Sequence, residues 1–190
     1  MATTLGRDDA VLRAALAACA LFVREGTTDI TVADITAAVE ISPRTFHRYF
    51  PTKAEIVSPL FRWTTHEFNL AVAEPAPDVP VLDVLTGAFS RSLGGAVAER
   101  TQGLFPLIFA DDGMWSVFLR HVHDGERSLT PELAPRLGLA PNSVAARAAS
   151  AAVASSTRIA LEGMVVEGRD PQALYAETLQ AFMAGALRSS

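Results

Sequence analysis

The sequence has few of the features that stabilise proteins covalently or anchor them to membranes. Its 190 residues include one cysteine, Cys19, which excludes an intramolecular disulfide and gives no set of thiolates for a metal site. The N-terminal residues contain no apolar signal-peptide core, and no uncharged apolar stretch reaches the roughly 18 residues of a membrane span. We therefore expect a cytoplasmic protein with no membrane contact, no metal and no cofactor.

The sequence also lacks the long apolar–polar alternation that indicates β-strands, and it contains no internal repeat. Alanine is abundant, hydrophobic residues make up 49% of the chain and charged residues 19%. This balance is typical of a folded globular protein, and a chain of this length can bury roughly 70% of its unfolded surface. The composition therefore predicts an all-α fold that is stabilised by its own core.

The signatures of common enzyme sites are missing as well. There is no Gly-x-Ser-x-Gly nucleophile turn and no phosphate-binding glycine loop. His121 and His123 lie two residues apart, so on a helix they face different directions and do not form a metal pair. The sequence therefore predicts that the protein is not an enzyme.

One short segment differs from the rest of the chain in its charge. Residues 42–53 contain Arg44, Arg48 and Lys53 and no aspartate or glutamate. Their charge of +3 compares with −5 for the whole chain, which leaves −8 on the remainder. An acidic protein with one basic, polar face can meet DNA at that face and repel it elsewhere. This segment is therefore a candidate DNA-binding surface.

Helix start and stop signals around this segment predict a helix-turn-helix. Thr31 is expected to cap one helix, with Asp34 three residues later, and Ser42 to cap the next. Pro43 suits the first turn of that second helix, and Pro51 ends it. Apolar residues at suitable spacing then brace the two helices against each other: Val32, Ile35, Ile41, Phe46 and Phe50. Bracing of this kind leaves the second helix free to enter a major groove.

The polar residues of the second helix and its flanks suit DNA contacts. Arg44 can donate to guanine O6 and N7 or to a phosphate, and Lys53 lies at the start of the next helix, where a phosphate is favoured. We predict that these residues contact DNA: Thr31, Ser42, Pro43, Arg44, Thr45, His47, Arg48, Tyr49 and Lys53. The alternative is a surface helix with ordinary solvated arginines.

Residues 8–60 resemble the DNA-binding domain of the TetR family of transcriptional regulators. The positions that match the family pattern are Ser42, Thr45, Phe46, Phe50, Lys53 and Ile56. The resemblance implies an N-terminal three-helix helix-turn-helix domain at residues 1–52, joined to a C-terminal helical ligand-binding and dimerisation bundle at residues 53–190. The stretch SPRTFHRYFPTK, with a later RLGLAP, is similar to a branch of the family with acyl-CoA-like ligand domains.

Two positions depart from the family pattern. Glu40 stands where the family usually has the turn glycine, and a positive φ there would strain the backbone by roughly 1 kcal/mol. His47 replaces the usual tyrosine, although a neutral imidazole still donates one hydrogen bond. Glu40 supports an alternative function, a ligand-binding or scaffold protein whose DNA-reading head is degenerate.

Helical patterns cover most of the remaining chain. Asp8 or Asp9 is expected to cap the first helix, and Thr52 with Glu55 to form a capping box for a helix that Pro59 kinks or breaks. The stretch 74–80 is expected to be a loop. Later helices are predicted at residues 81–99, 102–110, 112–123, 131–137, 142–166 and 171–187.

Aromatic residues are concentrated between residues 101 and 123. One hypothesis is an apolar pocket for a small apolar or acyl-type effector, with His121 orienting a polar head group. The residues predicted to line it are Trp63, Phe68, Phe105, Phe109, Trp115, Phe118 and His121. The alternative is a packed core, because aromatics at helical spacing are usually core residues. The family resemblance is what favours the pocket.

The last two predicted helices suit a dimer interface. The first has a face of small residues, and the second has an apolar stripe that ends at Phe182 and Met183. Two such pairs can close a four-helix interface between identical chains, although packing within one chain is the alternative. The resemblance therefore implies a homodimeric regulator, more often a repressor, that binds a palindromic double-stranded DNA operator and is released by a small molecule.

Overall fold

The computed structural model describes residues 2–185, and the side chains of residues 8–95 and 97–185. These residues form nine α-helices and two 3-10 turns and contain no β-strand, which confirms the predicted all-α class. The helices are α1 Ala2–Glu25, α2 Val32–Ala38, α3 Pro43–Tyr49, α4 Ser58–Ala73, α5 Val81–Ser92, α6 Ala98–Ala110, α7 Asp112–Arg136, α8 Val144–Glu167 and α9 Pro171–Met183. The 3-10 turns are Ala54–Val57 and Gly95–Val97.

Several predicted helix ends are confirmed at the level of single hydrogen bonds. The Thr31 side chain accepts the Asp34 N–H at 3.2 Å, and the Ser42 side chain accepts the Thr45 N–H at 3.1 Å. Gly168, with φ of 65°, ends α8 in the left-handed conformation that glycine adopts without strain. These helix ends could be predicted from the sequence because each depends on residues within one helical turn.

Two predicted helix starts were wrong, and one predicted helix break is confirmed. Helix α1 begins at Ala2, so neither Asp8 nor Asp9 caps it. The expected capping box of Thr52 and Glu55 does not form, since a 3-10 turn without a side-chain cap follows Lys53. The break expected near Pro59 is confirmed, because α4 starts at Ser58 and so has this proline in its first turn, where its missing N–H costs nothing.

The middle of the chain also differs from the predicted pattern. The helix expected at 81–99 ends at Ser92 and is followed by a 3-10 turn, with Gly95 at φ of 48°. The helices expected at 112–123 and 131–137 are one continuous helix, α7, with Pro131 inside it. The predicted end of the last helix at residue 187 lies outside the described residues, and the helix described there ends at Met183.

The chain divides into two compact units. The N-terminal unit comprises the residues up to Trp63 together with Gly103–His121, and the C-terminal unit comprises Thr64–Gln102 and the residues from Val122 onward. Residues 53–63 and 103–121 therefore pack with the N-terminal helices, although the sequence assigned them to the ligand-binding domain. The functional boundary between residues 52 and 53 stays a prediction.

The C-terminal unit has its own aromatic core. The rings of Phe89 and Tyr175 are stacked with centroids 4.3 Å apart, and both side chains are fully buried. This burial raises the pKa of the Tyr175 phenol well above its ordinary value, because the charged form would lose its hydration.

Within the part of the chain that the structure describes, no helix is both long and apolar enough to cross a lipid bilayer.

The end of α4 in this unit is held by one arginine from α7. The Arg136 guanidinium donates hydrogen bonds to carbonyl oxygens of Val72, Ala73, Pro75 and Ala76. These carbonyls include the unpaired ones of a helix C-terminus, where a positive charge is favoured. One side chain therefore stabilises both the end of α4 and the loop that follows it.

Candidate nucleic-acid interface

Buried aromatic rings brace α3 against the rest of the N-terminal unit. Phe46 and Phe50 are 0% and 1% exposed, and their ring centroids lie 5.2 Å apart in an edge-on arrangement. Ile35 of α2 is also fully buried, and α2 packs against both α1 and α3. The apolar side of α3 is therefore anchored, which is the mechanical requirement for a helix that enters a DNA groove.

The opposite side of α3 is exposed and carries the predicted DNA contacts. Of these residues, the exposed ones are Thr31, Ser42, Pro43, Arg44, His47 and Arg48, and the half-buried ones are Thr45, Tyr49 and Lys53. Within the described residues, the Arg44 side chain forms no hydrogen bond and no ion pair, so its five N–H donors remain available. The structure thus brings the candidate residues of α3 together on one accessible face.

Two of the predicted contacts already have a structural role. The Ser42 hydroxyl accepts the Thr45 N–H and donates to the Thr45 side-chain oxygen at 3.0 Å. The Thr31 hydroxyl accepts the Asp34 N–H and donates to the Asp34 carboxylate at 2.6 Å. Both hydroxyls are therefore committed to capping the two helices, and contacts from them to DNA stay predictions.

Neighbouring rings orient two of the polar side chains. The Arg48 guanidinium lies over the Tyr49 ring, 5.3 Å from its centroid, and the His47 ring contacts the Phe46 ring edge-on at 5.4 Å. A guanidinium above an aromatic face gains electrostatic attraction while its N–H groups stay free to donate. Arg48 is therefore partly pre-oriented beside the exposed face of α3.

Glu40 occupies the turn between α2 and α3 with φ of 55°, and among the described residues it alone has a positive φ without being a glycine. The Ile41 N–H donates to the Thr36 carbonyl at 3.1 Å, so the turn closes tightly over the end of α2. Glu40 therefore has the positive φ that strains the backbone of a residue other than glycine, by roughly 1 kcal/mol. Glu40 is exposed and lies two residues before Ser42, the N-cap of α3.

Lys53 occupies a position that the sequence did not reveal. Its ammonium donates a hydrogen bond of 3.0 Å to the backbone carbonyl of Thr28, in the loop between α1 and α2. The Thr28 hydroxyl in turn donates to the Asp111 carboxylate at 2.9 Å. The sequence contains no local signal for these contacts, because Thr28 lies 25 residues from Lys53 and 83 residues from Asp111.

Several of the aromatics predicted to bind a ligand contact one another in the N-terminal unit. The Phe118 ring lies 4.8 Å from that of Phe105 and 5.0 Å from that of Trp115, and the Phe109 and Trp115 rings are 5.0 Å apart. Phe105 and Phe118 are only 3% and 4% exposed. These contacts are those of a packed core, the alternative interpretation, and ligand binding by these residues stays a prediction.

The predicted ligand residues do not all fall in one unit. Phe68 belongs to the core of the C-terminal unit, whereas Trp63 and the other predicted ligand residues belong to the N-terminal one. His121 is hydrogen-bonded through Nε2 to the Ser58 hydroxyl at 2.8 Å, and Arg62 donates to the same hydroxyl at 3.2 Å. No sequence pattern predicted this Ser58–His121 pair, because its two residues lie 63 positions apart.

The C-terminal unit contains a cavity of about 120 Å³ that the sequence did not predict. Residues at the end of α5 and the start of α9 line it, among them Phe89, Leu93, Gly94, Asp170 and Gln172. The Gln172 amide nitrogen donates to a carbonyl of α5, that of Thr86, at 3.0 Å. None of the predicted ligand residues lines this cavity.

Comparison with known proteins finds similarity to helix-turn-helix regulators. Residues 16–59 match the family model described as bacterial regulatory proteins, tetR family. The chain is 30% identical over 140 residues to the HTH-type transcriptional regulator TcmR of Streptomyces glaucescens. That alignment covers 69% of this chain and 60% of the relative, so the chain spans less than two thirds of the curated relative's length.

The fold also resembles a solved structure over nearly its whole length. Salmonella enterica GusR superposes with a TM-score of 0.58 over 95% of this chain and 96% of that one. At 19% identity this likeness shows a common fold only. The family match covers α2, α3 and their flanks, where the buried brace and the exposed basic face are found. Residues 16–59 of this chain, with the helix-turn-helix that they form, are therefore similar to the tetR family of bacterial regulatory proteins.

Proposed function

We propose that this protein is a transcriptional repressor that binds a palindromic operator as a homodimer and is released by a small molecule. The observation that carries the proposal is the two-sided character of α3. Phe46 and the C-cap residue Phe50 are buried, while Arg44, His47 and Arg48 are exposed on a face without acidic residues. Buried bracing on one side and exposed donors on the other are what a recognition helix requires.

The chemistry of the exposed face divides into base and phosphate contacts. Arg44, near the N-terminal end of α3, suits a bidentate contact with guanine, and this residue is assigned to sequence recognition. Lys53, Tyr49 and Arg48 suit phosphate oxygens, which position a protein on DNA without reading its sequence. The name of the Streptomyces relative, an HTH-type transcriptional regulator, supports the same role.

The homodimer is proposed to form through α8 and α9. Both helices carry large apolar side chains that are exposed in the single chain: Val144 at 83%, Val166 at 68%, Phe182 at 41% and Met183 at 61%. Burying such residues against a second copy removes apolar surface from water. Two α3 helices about 34–36 Å apart would then read successive half-sites of a palindrome.

The effector is proposed to be a small apolar or acyl-type molecule, as in the branch of the family with acyl-CoA-like ligand domains. The support is the aromatic group formed by Phe109, Trp115 and their neighbours, in which Trp115 is only half-buried. Native mass spectrometry of the purified protein tests this proposal. A bound metabolite of that class supports the proposal. The proposal is contradicted if the protein carries no such metabolite and no compound of that class releases it from DNA.

A second candidate function is a ligand-binding or scaffold protein with a degenerate DNA-reading head. The observation that favours it is the strained, exposed and acidic Glu40 in the turn that precedes α3. This candidate predicts no sequence-specific DNA binding at any pH from about 6 to 8.

Electrophoretic mobility shift with the DNA upstream of the protein's own gene separates the two candidates. A repressor gives a sequence-specific shift that competitor DNA does not abolish and that weakens steeply as salt increases. A scaffold gives only weak binding that any competitor duplex abolishes. The proposed cytoplasmic location is consistent with the first outcome, since operators lie on the chromosome.

A further inference from the structure

We propose that Thr28 and Asp111 are positioning residues for DNA binding, which act through the phosphate contact assigned to Lys53. This inference rests on the proposed function, because it concerns how one contact to DNA is prepared. Neither residue was among those predicted from the sequence. Both lie outside α3, and Asp111 lies 58 residues beyond Lys53 in the chain.

Hydrogen bonds connect the three residues in series. The Lys53 ammonium donates to the Thr28 carbonyl at 3.0 Å, and the Thr28 hydroxyl donates to Asp111 Oδ2 at 2.9 Å. All three residues belong to the N-terminal unit, and both hydrogen bonds are partly shielded from water. Thr28 therefore lies between the lysine and the carboxylate and contacts each through a different group.

Asp111 is itself held in place by the start of α7. Its second carboxylate oxygen, Oδ1, accepts the Met114 N–H at 3.0 Å, and its carbonyl accepts the Trp115 N–H at 2.8 Å. The carboxylate is thus the N-cap of α7, a position that fixes its direction. A Cβ on Gly113 would lie 3.1 Å from the Ala54 Cβ, so the start of α7 also packs tightly against the residue after Lys53.

The arrangement leaves Lys53 oriented and still able to bind a phosphate. An ammonium has three N–H donors, and the Thr28 carbonyl accepts one of them. Within the described residues Lys53 forms no ion pair, so its ammonium is not in direct contact with a carboxylate. A lysine whose side chain is already ordered loses less conformational entropy when it binds phosphate than a freely rotating one.

A purely structural role for Thr28 and Asp111 is the competing explanation, and thermodynamic coupling separates the two. If Thr28 acts through Lys53, removing its hydroxyl matters only while the lysine is present. If it merely stabilises the fold, its removal and the loss of Lys53 have independent effects on DNA affinity.

The experiment measures the Kd for an operator duplex, selected with the parent protein, for the full chain at several salt concentrations. Lys53→Ala is expected to reduce the slope of log Kd against log salt by about one unit. Thr28→Val is expected to weaken binding about three- to tenfold, the effect of one hydrogen bond, whereas Thr28→Ser, which keeps the hydroxyl, binds like the parent. The double variant Thr28→Val/Lys53→Ala is expected to bind no more weakly than Lys53→Ala alone.

Asp111→Ser provides the second test, because serine still caps α7 but is too short to reach Thr28. It is expected to weaken binding as much as Thr28→Val does and to add nothing in the Lys53→Ala background. Additive losses in the double variants, or a Thr28→Val protein that binds like the parent, would overturn the inference alone. A parent protein that binds no duplex would reject the proposed function and this inference together.

Discussion

Gly163 of α8 lies directly against the Leu174 side chain of α9. A Cβ built on residue 163 would lie much closer to Leu174 Cδ2 than the van der Waals contact distance of two carbon atoms, and both residues are buried. The close packing of α8 and α9 therefore depends on the missing side chain at this position. This contact matters for function because the same two helices carry the proposed dimer surface.

Gly163→Ala is expected to lower the free energy of unfolding by about 1–3 kcal/mol, since the added methyl group overpacks a buried contact. Gly87→Ala is the matched control, because residue 87 is exposed on α5 and an added Cβ there meets nothing within 4 Å. That change is expected to stabilise the protein by up to about 1 kcal/mol through helix propensity. Urea denaturation measures both, and a stabilised Gly163→Ala protein would contradict the described packing.

Arg44→Ala is expected to weaken operator binding by about 1–3 kcal/mol and to relax specificity at one base pair, because a bidentate guanine contact is lost. Arg127→Ala is the control, since Arg127 is also exposed but lies on α7 in the C-terminal unit. Fluorescence anisotropy with a set of single-base operator variants measures both properties. Affinities equal to the parent for both proteins would reject the role assigned to Arg44.

Glu40→Gly is expected to raise the free energy of unfolding by about 1 kcal/mol, because glycine adopts a positive φ without strain. It is also expected to strengthen DNA binding by removing a negative charge from the turn that precedes α3. Glu40→Gln separates the two effects, since it removes the charge and keeps the strain. It should therefore bind DNA more tightly with unchanged stability, and a weaker DNA complex in either variant would count against the proposed orientation of this face.

Phe182→Glu is expected to convert the proposed dimer into monomers, because a carboxylate would be desolvated in the apolar interface proposed for α9. Operator binding should then fall by about a thousandfold or more, towards the affinity of non-specific binding. Leu70→Glu is a matched control on α4, where the leucine is 37% exposed compared with 41% for Phe182. Sedimentation velocity measures the assembly state, and an unchanged dimer would exclude this part of α9 from the interface.

Alkaline pH is expected to destabilise the protein through Tyr175. Burial raises the pKa of its phenol in the folded state above the ordinary value of about 10, so the unfolded chain loses this proton first. Above about pH 10 the unfolded state therefore binds fewer protons, and stability falls by up to about 1.4 kcal/mol per pH unit. Thermal unfolding between pH 9 and 11 should show a smaller loss for Tyr175→Phe than for the parent. Tyr49→Phe, which keeps Tyr175, should lose stability as the parent does.

The sequence by itself determined the helix-turn-helix and its caps. Thr31, Ser42, Pro43 and Gly168 act on backbone groups within one helical turn, so their effects are independent of the remaining fold. The buried positions of Phe46 and Phe50 followed from helical periodicity, because the apolar residues of a short amphipathic helix lie on one side, which packs against the core. The family resemblance rested on these same residues, and the match to residues 16–59 confirmed it there.

The tertiary structure alone decided which distant residues meet. Local signals placed a capping box at Thr52 and Glu55, but Glu55 forms an ion pair with Arg120, 65 residues away. They also grouped the aromatics with the ligand domain, whereas most of them pack in the N-terminal unit. The bond from Thr28 to Asp111 is of the same kind. Such contacts depend on how the helices pack. The packing is determined by the whole core, whose residues come from distant parts of the chain, so no single stretch of sequence predicts it.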